Sequence, residues 1–550
     1  MRGHWPFLLL AGLYLAIALP WLDRPGLEYD EAYFVNPALV TLSGDPGEPR
    51  DFCHQTIAVA GHTLPLRLFA YGGALKAWLW APVFGVCGVS LPTIRVPAIL
   101  LGLVAIWLVW RASCRWLGRG WGTGAALLFA LDPGFLCNVR CDTGPLALAM
   151  VCGALALVCL QRALAARSAA WWLALSGAIA LGFFDKLTFV WTCSGLLLGA
   201  LVAFREELFA LAFAAWIDRR LRWCAVGTAL IGLCYAVFGW MLLRGSRELV
   251  GFDWRAKLWT LWQGLGGETL LHEFQTGAVH QRPGFLQTLW YDADQLRLSV
   301  QGQVESGWPA WFTRWDLLHG TLLPLLLGLA LAALPFVLRR VDAERRKLGV
   351  FLGLACLTDY GLLYVAQGTG LPHHFPLGFP YPQLLLVFVA REMPRWLGVP
   401  ALGLQLVLCL FVNARTVATY ATDGGNGSWS DAITTLCAKL QARPEEPVFL
   451  DWGMRTQWIA FAGRGRPSRE IAVDTITNRP HEVPRMIEQA RAQLRALVAA
   501  PQRFVLVTLD PRFEWYPSTR MLIEEGGRLE PIESIPQRDG RPLFQLWRLK

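Results

Sequence analysis

From its start to about residue 414, the chain alternates long hydrophobic runs with short polar loops. The first run, residues 3–22, carries no formal charge, and twenty helical residues rising about 1.5 Å each span a bilayer core of about 30 Å. The pattern therefore predicts about eleven transmembrane helices. The ten later runs lie at about 96–112, 121–137, 143–161, 170–184, 187–204, 223–243, 319–338, 348–366, 375–391 and 396–414.

The first run has a second interpretation, a cleaved signal peptide, because Ala16 and Ala18 have the spacing of a cleavage site. The apolar residues continue beyond them to Leu22, which is not typical of a signal peptide. A first transmembrane helix is the favoured interpretation.

After Arg415 the pattern becomes that of a small soluble α/β domain, residues 416–550. A final hairpin is predicted to turn at Asp539-Gly540. No GxGxxG follows a strand and no P-loop sequence is present, which argues against dinucleotide binding and ATP-driven transport. Periodicity predicts strands at 448–452, 469–476 and 503–510, and helices at about 431–441, 455–463 and 482–499.

Composition agrees with an α-helical polytopic membrane protein. The chain is 54% hydrophobic and only 17% charged, with 27 Trp and a mean hydropathy of +0.38, which is too apolar for a soluble protein of this size. Most of the 13 Cys lie inside apolar runs, so no disulfide framework is indicated. Cys137 and Cys141 are close in sequence, and their pairing is left open.

The net charge of +9 comes from short Lys and Arg clusters between hydrophobic runs, which orient helices in a membrane and give no indication of nucleic-acid binding. Cytoplasmic loops carry such clusters, so the pattern predicts an inner-membrane protein with a cytoplasmic N-terminus and a periplasmic or extracellular C-terminal domain. The clusters lie at 111–119, 162–167, 205–222, 339–347 and 391–395.

This orientation depends on the first outer loop, residues 23–95. Its second half is aromatic, broken by Gly and Pro, and contains Lys76, which favours helices lying in the membrane interface. If residues 72–90 crossed the membrane instead, every later loop would change sides. With interfacial helices, a second long outer loop is predicted at 244–318.

Candidate catalytic chemistry begins at Asp30 and Glu31, directly after the first hydrophobic run. A carboxylate at the lip of a membrane can be tuned into a general base, although an acidic loop leaving a membrane is the simpler alternative. Asp142 follows Arg140 in a second outer turn. In a third, Asp185-Lys186 interrupts two hydrophobic runs, and these charges either face a cavity or neutralise each other at the lipid surface.

Histidines offer a weak metal signal. His373 and His374 are adjacent within LPHHFPLGFPYP, but two neighbouring His without a third fixed ligand are explained equally well by a Pro-rich turn. The sequence therefore leaves open whether a divalent metal ion binds. If one binds, the candidate ligands are Glu31, Asp142 and His374.

Together these motifs resemble the GT-C class of membrane glycosyltransferases, in particular the bacterial family 39-like enzymes related to protein O-mannosyltransferases and aminoarabinose transferases. The resemblance spans residues 5–415 and rests on the order of the motifs: the acidic pair, GVSLPTIRVP, the R-x-D of Arg140 and Asp142, GFFDKLTF and HHFPLGFPYP. It implies a GT-C fold and transfer of a sugar from a polyprenyl-phosphate donor to a protein, lipid or glycan acceptor at the outer face. One departure is AYGGALK, which lacks the carboxylate that aminoarabinose transferases carry before the Lys.

Such a reaction needs a base for the acceptor proton and cations for the donor phosphate. We assign the base to Asp30, with Glu31 or Asp142 orienting the acceptor or a metal. The cations assigned to the phosphate are Arg140, Lys186 and Lys76. The resemblance implies inversion at the anomeric carbon, without a covalent sugar intermediate.

Two other classes of function stay open. A transporter or lipid flippase places charges near the bilayer midplane and shows repeats, whereas only Asp132 and Asp359 fall within predicted spans and no internal repeat is evident. A catalytically inactive scaffold that presents the C-terminal domain is the other alternative.

Overall fold

The computed structural model describes residues 4–43, 53–69, 72–229, 314–365, 378–425, 430–461, 466–471, 483–499, 503–511 and 518–550, apart from isolated positions within these ranges. Three predicted features lie wholly or mostly outside the described residues: the outer loop 244–318 up to residue 313, the metal candidate His374 with its neighbour His373, and most of the run at 223–243.

The described residues up to Asp423 are mainly helical, because most of their segments are apolar enough to pack on all sides. Helix α4 begins with a capping box in which Ser90 and Thr93 satisfy each other's backbone N–H groups. The helices are α1 Trp5–Ala18, α2 Tyr29–Ser43, α3 Leu75–Cys87, α4 Leu91–Leu117, α5 Arg119–Leu131, α6 Pro133–Cys141, α7 Leu146–Ala166, α8 Ala169–Asp185, α9 Val190–Ala203, α10 Arg205–Ile217, α11 Arg314–Leu338, α12 Ala343–Val365, α13 Tyr381–Glu392 and α14 Arg395–Asp423.

Three of these helices, α4, α7 and α14, are long and apolar enough to cross a membrane. Helices α5 and α6 meet at a bend of 53° and could together form a fourth span. These counts cover the described residues alone, so a total of about eleven spans stays a prediction.

The basic helix junctions meet at one end of the bundle. Arg391, at the end of α13, donates to the carbonyl of Leu117 between α4 and α5. Lys347 on α12 reaches Glu207 on α10 at 2.5 Å, and the Arg345 guanidinium lies 3.5 Å from Glu392. Four of the five predicted inner loops therefore lie at one end.

The loop predicted to be the first outer one contains helices α2 and α3, together with a small antiparallel sheet that the sequence did not indicate. Its strands are β1 Gln55–Val59, β2 His62–Phe69 and β3 Gly72–Gly73, in that order. Ile57 of β1 pairs with Leu64 of β2. In chain order this sheet lies between α2, which carries Asp30, and α3, which carries Lys76.

The C-terminal region is an α/β domain, as its sequence indicates. The hairpin turns at Gln537–Gly540, close to the predicted position. The five-stranded sheet has the order β5-β4-β6-β8-β7, in which β5, β4 and β6 are parallel and β8 runs antiparallel to both β6 and β7. The elements are α15 Ala432–Gln441, β4 Glu446–Phe449, α16 Met454–Phe461, β5 Arg469–Glu470, α17 Val483–Val498, β6 Phe504–Leu509, α18 Ser518–Glu524, β7 Leu529–Pro536 and β8 Pro542–Leu549.

The hydrophobic core is continuous from the helical bundle into this domain. A single cluster of buried side chains joins residues of α1 to α7 with Met454 and Trp458 of α16. Asn36 on α2 donates to the carbonyl of Thr456 at 2.9 Å, and Gln457 donates to that of Leu27 at 2.5 Å. Helix α16 therefore packs directly on the helix that carries the acidic pair.

Candidate active site

Helix α2 begins with an acidic cap that sets the position of the predicted catalytic pair. The Glu28 carboxylate accepts hydrogen bonds from the backbone N–H groups of Asp30 at 2.6 Å and Glu31 at 3.2 Å. The Glu31 carboxylate in turn accepts from the N–H of Glu28 at 3.4 Å, which completes a capping box. Asp30 and Glu31 occupy the first turn of α2, where the helix dipole stabilises negative charge.

The Glu31 carboxylate is fully buried in a two-pronged ion pair with Arg95 of α4. Nε and Nη2 of Arg95 donate to its two oxygens at 2.7 and 2.8 Å. The remaining N–H groups of Arg95 donate to three backbone carbonyls between α1 and α2. All three guanidinium nitrogens donate hydrogen bonds, so Glu31 and Arg95 fix the conformation of the segment between α1 and α2, the α1–α2 corner. The carbonyls belong to Leu22, Pro25 and Gly26.

Asp30 is half-buried and lies on a different face of α2. Residues four apart share a helix face, so Asp30 is on the side of Phe34, one turn further along. The ammonium groups of Lys76 and Lys186 lie 5.9 and 5.7 Å from the centre of the Phe34 ring. The structure therefore brings the predicted base and two of the three predicted phosphate-binding cations to one face of α2.

Lys76 is held by Asp142. Its Nζ lies 2.7 Å from the Asp142 carboxylate and donates to the Asp142 carbonyl at 3.1 Å, with both side chains buried. Asp142 has a left-handed backbone, φ 45°, and its other carboxylate oxygen accepts from the N–H of Ala147 at the start of α7. Asp142 thus both neutralises Lys76 and caps a helix.

Lys186 reaches the same place from α8. Its backbone forms a β-bridge with Gly72, which ties the outer-loop sheet to the end of α8. Two glycines make room: a Cβ on Gly73 would lie 1.9 Å from the Phe184 carbonyl oxygen, and one on Gly144, whose φ is +68°, would lie 2.7 Å from Lys186 Nζ. The neighbouring Asp185 carboxylate is buried and accepts no hydrogen bond from any residue that the structure describes.

Arg140, the third predicted phosphate-binding cation, faces elsewhere. Its Nη2 donates to the carbonyls of Pro20, Trp21 and Arg24 at 2.6, 2.5 and 3.0 Å, and its guanidinium stacks 5.0 Å from the ring centre of Tyr420 on α14. These contacts fix the end of α1. Within the described ranges the structure thus places Arg140 with Arg95 at the α1–α2 corner, and not among the groups around Phe34.

A divalent metal does not fit the described candidates well. Glu31 gives both carboxylate oxygens to Arg95, and Asp142 gives its own to Lys76 and a helix N-terminus. Over the ranges that the structure describes, no three side chains of His, Cys, Asp or Glu come together as a metal site. We assign no step to a metal. Cys137 and Cys141, left open above, are both free thiols.

Sequence reasoning did not identify Glu28 or Arg95 as site residues. It named Asp185 but did not indicate that its carboxylate is buried without a hydrogen-bond donor among the described residues. A signal existed for the first, because Glu28 and Glu31 have the spacing of a capping box. Arg95 lies within the quoted GVSLPTIRVP motif, but only the fold shows that it meets Glu31, 64 positions earlier in the chain. The absence of a hydrogen-bond donor to Asp185 among the described residues depends on how the helices pack, which the sequence does not indicate.

Comparison with known proteins gives one family match. The model of dolichyl-phosphate-mannose-protein mannosyltransferases matches residues 73–240, a segment that contains Lys76, Arg140, Asp142 and Lys186 but not Asp30. No curated protein matches the chain at a significant level. The resemblance to GT-C glycosyltransferases that the sequence indicates is confirmed by this match.

Solved structures agree with the fold. The oligosaccharyltransferase from Archaeoglobus fulgidus, in a complex with Zn and sulfate, is 14% identical with a TM-score of 0.50, covering 92% of this chain and 68% of that chain. ArnT from Cupriavidus metallidurans, bound to undecaprenyl phosphate, is 15% identical with a TM-score of 0.44, covering 98% and 97%. At 14% identity, the likeness to the oligosaccharyltransferase concerns the fold alone.

Proposed function

We propose that the chain is a membrane glycosyltransferase that moves a sugar from a polyprenyl-phosphate donor to a hydroxyl-bearing acceptor at the outer face of the membrane. The observation that carries the proposal is the shared face of α2, where half-buried Asp30 lies one turn from Phe34 and the two lysines beside it. A base and paired cations are what this transfer requires. The family match to enzymes that use a dolichyl-phosphate sugar supports the class of donor.

In the proposed reaction, the acceptor oxygen attacks the anomeric carbon of the donor sugar while Asp30 takes the acceptor's proton. The bond between that carbon and the phosphate oxygen breaks, and polyprenyl phosphate leaves with the electron pair. Lys186 and Lys76 stabilise the negative charge that develops on the phosphate, since charge-assisted hydrogen bonds to ammonium groups strengthen as charge grows. Attack opposite the leaving group inverts the anomeric centre.

Glu31 and Asp142 have supporting roles in this proposal. Glu31 fixes the start of α2 through Arg95 and so orients Asp30. Asp142 balances the charge of Lys76 when no donor is bound. The Arg-rich junctions lie together at one end of the bundle, which supports an outer position for the opposite end and for the domain at residues 416–550.

The test is transfer by the purified full-length chain in proteoliposomes. Polyprenyl-phosphate hexoses labelled in the sugar are supplied with extracts containing protein, lipid and glycan acceptors, and the label is followed into each fraction. The proposal predicts labelled product together with released polyprenyl phosphate. Movement of labelled lipid between leaflets without cleavage would favour the transporter or flippase instead. No cleavage and no movement with any donor would favour the scaffold.

A further inference from the structure

A cavity of about 410 Å³ lies at the basic end of the helical bundle, between the end of α11 and the junction of α13 with α14. This volume is within the range of about 300–1,000 Å³ that ligand sites occupy. Arg340, two residues after the end of α11, lines the cavity, and no residue assigned to sugar transfer does. The rest of the wall is mainly apolar, with Ala333, Phe336, Val337, Val341, Met393 and Pro394.

The charge on the cavity wall is positive. Arg340 is exposed, and its guanidinium makes no hydrogen bond or ion pair with any residue that the structure describes. Glu392 also lines the cavity, but its carboxylate is neutralised by the guanidinium groups of Arg391 at 3.3 Å and Arg345 at 3.5 Å. The segments 339–347 and 391–395 together carry seven basic and three acidic residues. The cavity therefore favours an anionic ligand.

The turn that carries Arg340 is fixed by backbone contacts. The N–H of Arg340 donates to the carbonyl of Val337 at 2.9 Å. Nε of Arg346, on the first turn of α12, donates to the carbonyl of Leu338 at 2.9 Å and so ties α12 to the end of α11. The position of Arg340 is thus set before a ligand binds, which lowers the entropic cost of binding.

An exposed apolar stripe on α11 leads to the same arginine. Its positions recur at intervals of three or four residues, which places them on one helix face, and Arg340 follows four residues after the last of them. From residue 325 to residue 336 the stripe is about 16 Å long, which matches one leaflet of a bilayer core about 30 Å thick. The stripe consists of Leu325, Leu329, Ala332 and Phe336.

The start of α14 places the cavity at the level of the membrane interface. Trp396, two residues after the lining residue Pro394, is 73% exposed. Trp side chains are enriched where a membrane meets water, because one part of the ring system is apolar and the indole N–H is polar. Lipid headgroups lie at this level, directly beside Arg340 and the end of the apolar stripe.

We infer that this cavity binds the headgroup of an anionic phospholipid, with the phosphate on Arg340 and an acyl chain along the exposed stripe of α11. A guanidinium binds phosphate through charge-assisted hydrogen bonds, often two at once. A zwitterionic headgroup brings an ammonium group into positive surroundings, so a net negative headgroup is preferred. The inference does not depend on the proposed function. A lipid in this position joins α11 to the α13–α14 junction and stabilises the basic end.

The first experiment measures lipid binding to the purified full-length chain in detergent by native mass spectrometry. Dioleoyl phosphatidylglycerol is compared with phosphatidylethanolamine and phosphatidylcholine of the same acyl chains. Loss of one charge-assisted contact in Arg340→Gln should weaken phosphatidylglycerol binding about tenfold or more, whereas the other two lipids bind weakly to both proteins. Arg115→Gln is the matched control, because it removes an exposed arginine from the last turn of α4, outside the cavity.

Equal losses in Arg340→Gln and Arg115→Gln would reveal a general attraction of anionic lipid to basic residues and would overturn the inference. Equal affinity of the unaltered protein for the three lipids would overturn it as well. Ala333→Phe, which adds bulk to a half-buried wall position and keeps Arg340, should also weaken phosphatidylglycerol binding. Unchanged binding in this variant would place the lipid outside the cavity.

A second measurement compares melting temperatures with and without added ligand. Phosphatidylglycerol should raise the melting temperature of the unaltered protein and of Arg115→Gln, but not that of Arg340→Gln, because ligand binding to the folded state stabilises it. Inorganic phosphate at the same concentration should have no effect. A rise as large with inorganic phosphate as with the lipid would show that the site takes a free anion, and would contradict the inference.

Discussion

The Glu31–Arg95 pair and the charged groups around Phe34 differ in how completely their hydrogen bonds are satisfied. In the Glu31–Arg95 pair, every guanidinium nitrogen of Arg95 donates a hydrogen bond and both carboxylate oxygens of Glu31 accept one from it. Nε and Nη1 of Arg140, at the same corner, have no hydrogen-bond acceptor among the described residues. Around Phe34, two lysines lie within 6 Å of one ring, and the buried Asp185 carboxylate has no hydrogen-bond donor among the described residues.

A saturated network of this kind fixes geometry, because removing one partner leaves another buried charge uncompensated. A buried carboxylate without a hydrogen-bond donor is rare in structures without a functional reason, so Asp185 marks the cluster around Phe34 as a candidate functional site. We propose that this difference separates charges that hold the fold from charges that act on substrate. It also explains why Asp30 and Glu31, adjacent in sequence, receive different roles.

The largest expected effect is on folding at the corner. Arg95→Gln leaves Glu31 buried without its cation, which destabilises a protein by about 3–5 kcal/mol. The measurement is unfolding of purified protein in detergent. Arg469→Gln is the control, because Arg469 pairs with Glu446 at a half-exposed site and such pairs contribute up to about 1 kcal/mol. Similar stability losses in both variants would remove the distinction between the regions.

The Lys76–Asp142 pair should show coupling. Lys76→Gln and Asp142→Asn each leave a buried charge, whereas the double variant leaves none, so the double variant should be more stable than the sum of the single losses by about 1–3 kcal/mol. Sugar transfer should be low in all three variants. Two of them lack Lys76, and in Asp142→Asn the ion pair that positions Lys76 is lost. Additive losses of stability would show that the 2.7 Å contact contributes little.

Lys186→Gln tests the ligand-binding cluster with less disturbance of the fold. Loss of one charge-assisted contact to phosphate should weaken donor binding about tenfold or more, while unfolding changes little. Donor affinity is measured by titration in nanodiscs. Lys550→Gln is the control, because Lys550 is an exposed lysine that follows β8 of the C-terminal domain. Unchanged affinity in Lys186→Gln would exclude Lys186 from the phosphate site.

The smallest effect concerns the C-terminal domain where it meets α2. Burial raises the pKa of Glu470 to about 7, although the N–H of Gly453 opposes the rise, and Gly453 packs against Tyr29 beside Asp30. A raised folded-state pKa favours protonation, so this contribution to stability is present at low pH and is lost as the pH rises towards and through 7. Glu470→Gln should flatten the fall in melting temperature between pH 5 and 8. An identical fall in both proteins would contradict this assignment.

Much of the helical architecture could be predicted from hydrophobic runs, because a helix such as α7 is apolar along its length. The C-terminal strands and the hairpin near Asp539 were also predicted, because alternation and turn residues are local signals. The β1–β3 sheet was not, because its short strands lie in a segment of mixed polarity. At the site, the charged residues themselves were identified from the sequence. Only the packing shows that Arg140 donates to backbone carbonyls, whereas the Lys186 ammonium lies beside the Phe34 ring.

The most direct test of the central claim is single-turnover transfer by Asp30→Asn, measured beside donor affinity in the same nanodisc preparation. Asn keeps the size of Asp but cannot take a proton, and loss of a general base costs about 10² to 10⁴ in rate. The account predicts a loss of that size with donor affinity and unfolding nearly unchanged. Transfer within a few fold of the unaltered protein would contradict it, and would place the base elsewhere than on the face of α2 shared with Phe34.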